Sequence, residues 1–222
     1  MPAERSVAHA NSYKSALHDA VADDADTSMS VGNDLYLGMP DYRRNRVPGG
    51  TYFFTVNLAD RSSDLLVAEV AALREAVRIV RARSPFGIDA WVVLPDHMHC
   101  MWTLPASDVD YTSRWRAIKK AFSKSVEPTK GRSVVQAARR ERGIWQRRFW
   151  EHTIRDTRDY AAHMDYIHFN PVRHRLVAST ANWPFSSFRR CVARGIYPPS
   201  WVGADGDGGS WGEARCWPEG GA

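Results

Sequence analysis

Polar and apolar positions alternate over residues 51–58, where Tyr52, Phe54, Val56 and Leu58 share one face. The aromatic and β-branched content predicts a strand, opened by Gly49-Gly50. Over 67–83 the period lengthens. Val70, Leu73, Val77 and Val80 recur at helical spacing with arginines opposite, and Pro85 and Gly87 end the helix. Two apolar runs follow, joined by Leu94-Pro95-Asp96-His97. Proline presets the second turn position and aspartate tolerates the third, so the spacing predicts a hairpin with arms 88–94 and 97–104. Thr112 can cap a helix to about Ser125, with Trp115, Ile118 and Phe122 as its buried stripe. Residues 144–154 read as a strand. Asp156 caps a last helix over 158–170, with Asp159 in its first turn. Pro171 biases Asn170 out of helical geometry and ends that helix. Tyr160, Met164 and Ile167 form its core stripe, while Tyr166 and Asn170, four apart, stack on a neighbouring face.

This order of strand, helix, hairpin, helix, strand and helix predicts an α+β fold. It is the βαββαβ pattern of a ferredoxin-like sandwich, with a four-stranded antiparallel sheet and an additional C-terminal helix carrying Tyr166. The strand bearing His97 and His99 is central in that topology, and its open face is where the last helix can bring Tyr166. Residues 1–38 show no periodic apolar face and are expected to be a disordered leader, with patterned sequence starting at Met39. The domain is expected over 39–202, with an aromatic segment from Trp183 to Trp201. Residues 203–222 are glycine-rich and expected to be a disordered tail.

With 222 residues, 44% of them hydrophobic, the chain can bury one core. No apolar run is long enough to span a bilayer and the first residues lack a signal-peptide pattern, so a membrane role is not expected. Three cysteines, far apart and in no ligand spacing, fit a reduced, cytoplasmic protein. The net charge of +5 fits an anionic partner. Arg43, Arg44 and Arg46 form a basic arm. Arg114, Lys119, Lys120 and Lys124 decorate the helix after the hairpin, and Arg147 and Arg148 are interleaved with aromatics that include Trp150. Such faces are either solvated surface and buried rings, or a surface for phosphates and unstacked bases. An Arg-rich loop over 128–142 is expected to be mobile.

His97 and His99 are two apart on one strand, so both point to one face, about 6–7 Å apart along it. They are either two satisfied histidines on a half-buried sheet or a pair able to share a divalent cation.

Three stretches together resemble one family. They are residues 90–105, centred on Pro95-Asp96-His97-Met98-His99, residues 145–155, with Arg148-Phe149-Trp150-Glu151-His152, and residues 165–172, with Asp165-Tyr166-Ile167-His168-Phe169-Asn170-Pro171-Val172. The chain is similar to the REP-associated tyrosine transposases, of the single-tyrosine HUH type, over roughly 41–201. The resemblance implies a bacterial enzyme, associated with the nucleoid when bound to DNA. It would cut and rejoin single-stranded DNA at hairpin-forming repetitive extragenic palindromes through a 5′-phosphotyrosine. Tyr166 then matches the nucleophile. His97, His99 and Asn170 match the metal ligands, for magnesium or manganese, although the donor types alone also suit zinc. No small-molecule cofactor is implied, and monomer and homodimer stay open. The leader 1–38 and the loop 128–142 depart from the family pattern. The rival reading is a hairpin-DNA-binding or repressor module on the same fold. A zinc hydrolase fails for want of a carboxylate base near the hairpin beyond Asp96.

Overall fold

The computed structural model describes residues 44–127 and 142–203; the leader, most of the basic loop and the glycine-rich tail lie outside them. The chain divides into two units, 1–45 and 46–222, and every element below belongs to the second. Strand β1 (Thr51–Asn57) leads into a four-residue helix α1 (Leu65–Ala68) and then α2 (Val70–Arg83). The single helix expected over 67–83 is therefore interrupted at Glu69, the residue between the two helices. Hairpin strands β2 (Gly87–Val93) and β3 (His97–Thr103) follow, then helix α3 (Tyr111–Ser125). Asp110, not Thr112, caps α3, its side chain accepting from the Ser113 amide.

Strand β4 (Trp150–Thr153), helix α4 (Thr157–Arg173), a 3-10 turn (Thr180–Asn182) and helix α5 (Phe188–Ala193) complete the order. The sheet runs β2-β3-β1-β4 with every neighbouring pair antiparallel, as the ferredoxin-like pattern requires. Helix α4 passes through Pro171 instead of stopping before it. A proline this near a helix end removes one hydrogen bond, and the helix closes one turn later with His174 N–H on Asn170 O.

Alternation on β1 sorts the core into two layers. Tyr52, Phe54, Val56 and Leu58 pack with α2 and α3 in one cluster, where Trp102 and Trp115 stack at 4.2 Å and 16°. Phe53 faces the opposite cluster with Ala90, Val92, Met101, Tyr166 and Ile167. Both sheet faces are thus covered, and β1 is buried from Tyr52 to Asn57. The β2 edge is closed by the segment before α5. Val93 N–H donates to Phe185 O and Ser187 N–H to Trp91 O, both at 2.8 Å.

The strand expected over 144–154 is broken. Trp145 bridges Leu58 and Trp150 pairs with Thr55, so two β1 residues oppose the four residues 146–149. That bulge turns Phe149 into the core against Trp115 while Arg147 and Arg148 are pushed out to solvent.

Candidate active site

The site is built on β3. Met98, Cys100 and Trp102 enter the core under α2 and α3, so alternation commits His97 and His99 to the other face. Their ring centroids are 4.9 Å apart and both rings are buried. Each Nδ1 has a fixed partner. His97 Nδ1 donates to Asp96 Oδ1 at 2.7 Å, and His99 Nδ1 lies 2.9 Å from the hydroxyl of Thr55, its partner in the β1–β3 register. Engaging Nδ1 orients each imidazole and gives Nε2 to the site, as in metal centres that hold a histidine through a neighbouring oxygen. Burial alone would raise the Asp96 carboxyl. The His97 hydrogen bond and the charges of His97 and Arg61 outweigh it and hold the pKa at about 2, so the group is an anion at neutral pH.

Helix α4 lies across this face. Asp159, His163, Tyr166 and Asn170 fall at i, i+4, i+7 and i+11 and form one stripe, and all four are buried. The Tyr166 ring meets His99 edge to face at 5.2 Å, and Phe53 flanks both as a shared wall, 5.5 Å from His99 and 5.8 Å from Tyr166. Tyr166 is 8% exposed, and its hydroxyl oxygen is buried. Asn170 follows one turn later and is fully buried. The two nitrogens and one amide oxygen that these side chains can offer fit a divalent cation. His174, at the C-terminal cap of α4, brings a third imidazole within 5.1 Å of His97.

A second cluster lies at the other end of α4. His152, Asp159 and His163 hold donor atoms within 4.8 Å of one another. Asp159 Oδ2 accepts from His152 Nε2 at 2.8 Å and also from Arg155. His163 Nδ1 lies 2.8 Å from the Asp159 carbonyl and 3.1 Å from its Oδ1. Two acceptors around Nδ1 place the proton there, and the trio forms a hydrogen-bonded clasp from β4 to α4. Burial would raise the Asp159 carboxyl, but hydrogen bonds from His152 and Arg155 hold it below its ordinary value, whereas burial pushes His163 down and keeps it neutral.

The basic residues divide by burial. Arg46, Lys120, Lys124, Arg147 and Arg148 are exposed, Arg44 is partly so, and Arg43 lies outside the described residues. Arg114 does not belong with them. It is 5% exposed, and its guanidinium donates to the carbonyls of Ser84, Pro85 and Asp110 and to the Asp108 carboxylate. Lys119 is half-buried, donating to Gln146 O at 2.9 Å over the rings of Trp145 and Phe149. Trp150 packs edge-on against Phe53 and stacks along His152, so its ring is partly committed to the interior. Thr55, Phe53 and the Asp159 clasp escape a reading of the sequence, because their roles follow from strand register and from β4 meeting α4.

No protein-family model matches the chain. Curated relatives do. The REP-associated tyrosine transposase of Escherichia coli (strain K12) is 52% identical over 165 residues, covering 74% of this chain and 92% of its own length. A Haemophilus influenzae relative assigned to the same family is 42% identical over 167 residues, covering 74% of this chain and 94% of its own. A solved structure of a REP-associated tyrosine transposase bound to a REP hairpin superposes with a TM-score of 0.66 at 51% identity, covering 76% of this chain and 94% of that one.

Proposed function

This chain belongs to the REP-associated tyrosine transposases, enzymes that cut DNA and transfer its strands, and from that premise we propose that it cleaves and rejoins single-stranded DNA at REP-type hairpins with Tyr166 as nucleophile. The observation carrying this reading is the meeting of Tyr166 with His97 and His99 on one buried face. A phosphodiester is an anion that repels nucleophiles. A divalent cation, magnesium or manganese, held by His97, His99 and Asn170 would polarise a phosphate oxygen.

The chain's own groups do the rest. Asp96 and Thr55 hold the two imidazoles with Nε2 toward the site. Phe53 and His99 confine the Tyr166 ring, so its buried hydroxyl is held in one orientation for attack. Attack by the Tyr166 oxygen releases a 3′-OH and leaves a 5′-phosphotyrosine. The ester keeps the energy of the broken bond, so a 3′-OH attacking in reverse rejoins DNA without a nucleotide cofactor. Exposed Arg147, Arg148, Lys120 and Lys124 supply cations for the hairpin backbone. Residues 39–202 make up the transposase domain in this reading.

Incubation with end-labelled REP hairpin DNA and magnesium or manganese tests the proposal. The parent protein should form a covalent protein–DNA adduct and a free 3′-OH, and Tyr166→Phe should form neither while binding the hairpin. An adduct with the Phe variant would place the nucleophile elsewhere. No adduct from the parent, with tight hairpin binding, would favour the binding-module reading.

A further inference from the structure

Helix α4 extends past Pro171 to Arg173, and this extension adds a residue to the active-site stripe. Arg173 follows Tyr166 by seven positions, two turns, which returns it to within about 20° of the same helix face. Side chains on a helix lean toward its N-terminus, so Arg173 reaches back over Asn170. Its guanidinium carbon lies 5.5 Å from the Tyr166 ring centroid, over the ring. Phe53 and His99 meet the same ring edge-on. Tyr166 therefore packs against two neighbouring rings and one guanidinium. Arginine presents several donors in a planar fork that suits phosphate oxygens.

We propose that Arg173 is a positioning and charge-stabilising residue for strand cleavage, orienting the Tyr166 ring and facing the phosphoryl group as it is transferred. The inference rests on Tyr166 being the nucleophile. In the step, a bond forms between the Tyr166 oxygen and phosphorus while the bond from phosphorus to O3′ breaks. The phenolic proton leaves through water and O3′ takes one up, so atoms and charge balance. Negative charge moves onto the phosphoryl oxygens and O3′ during this exchange, around the phosphorus that bonds to the Tyr166 oxygen, and Arg173 lies over that residue's ring. A guanidinium there acts mainly on the transition state, because the charge it meets is still developing.

The rival role is a plain one. Arg173 is the basic residue of the last turn of α4 and favours the helix dipole. Lysine serves the dipole equally well but cannot reproduce the planar fork. Single-turnover adduct formation at saturating hairpin and metal therefore separates the two, using the parent, Arg173→Ala, Arg173→Lys and Tyr166→Phe, with hairpin affinity and melting temperature measured on each. Arg173→Ala should slow adduct formation about 100- to 1,000-fold, the range seen on removing one transition-state donor. Its hairpin affinity and melting temperature should stay near the parent's. Arg173→Lys should recover only part of the rate, and added ethylguanidinium should speed the Ala variant but not the parent. An Ala variant as fast as the parent at saturating DNA overturns the inference. So does a deficit matched by a lower melting temperature and relieved fully by lysine. Tyr166→Phe keeps the premise separate: if it still forms adduct, the nucleophile assignment fails first, whatever Arg173 does.

Discussion

His99 and Tyr166 meet edge to face across the strand–helix interface, ring centroids 5.2 Å apart and planes at 71°. The contact needs two independent registers. The β1–β3 pairing sets Thr55 beside His99, and the seating of α4 on the sheet sets Tyr166 above it. Neither residue is close to the other in sequence, and both lie in elements whose other face is committed to packing.

His97→Ala and His99→Ala should each abolish metal-dependent cleavage while the fold survives, because β3 keeps its core residues Met98, Cys100 and Trp102. Adduct formation measured across a magnesium and manganese titration, beside the circular dichroism spectrum, checks this. Chelation of the parent protein should reproduce the loss, and adding metal back should reverse it. Undiminished cleavage by both variants would remove the cation role.

The sheet order was readable because period-2 and period-3.6 patterns alternate cleanly, and because Tyr52, Phe54, Val56 and Leu58 specify one face of β1. The His97 and His99 face followed from alternation alone. What escaped was non-local. Pro171 reads as a stop, but so close to the end of α4 it removes little, and the helix continues to Arg173. Arg114 reads as a surface cation, because nothing near it in sequence tells that Ser84 and Pro85 carbonyls converge on it. The strand over 144–154 looked continuous because a bulge leaves no mark on hydrophobic periodicity.

Asp159→Asn should loosen α4 on β4. The carboxylate accepts from His152, Arg155 and His163 at once, and a neutral amide with one acceptor oxygen cannot serve all three. A stability loss of about 1–3 kcal/mol is expected for a buried charged hydrogen-bonding group. Urea unfolding measures it. Adduct formation should fall as well, since the clasp and Tyr166 share one helix. A variant with parental stability would show that the clasp does not hold α4.

Stability should fall on acidification from near pH 7, partly through His163. Burial holds its folded pKa below the ordinary value, so it stays neutral in the native state. The unfolded chain takes up a proton as pH drops below about 6.5, and the native state does not. The unfolded state then binds more protons and gains, by at most about 1.4 kcal/mol per pH unit for this one group. The loss begins at the unfolded pKa and levels off below the folded one. Urea unfolding at a series of pH values should show a shallower slope for His163→Gln than for the parent. Parallel slopes would remove His163 from the account.

Arg114 and the pair Arg147 and Arg148 should respond in opposite ways to the same substitution. Arg114→Ala deletes a buried guanidinium and leaves the Ser84, Pro85 and Asp110 carbonyls and the Asp108 carboxylate to find new partners. That should cost about 1–3 kcal/mol of stability. Folded Arg114→Ala should bind hairpin DNA as the parent does. Arg147 and Arg148 are exposed on the bulge before β4, so Ala at either should leave unfolding unchanged. Hairpin affinity should drop instead, and the slope of log affinity against log salt should flatten by about 0.7 to 0.9 for each phosphate that is no longer neutralised. Fluorescence anisotropy over a salt series, paired with thermal melts, reads both quantities on all three variants. A salt slope that flattens for Arg114→Ala but not for Arg147→Ala or Arg148→Ala would mean that burial does not sort these arginines by role and that the DNA path runs elsewhere.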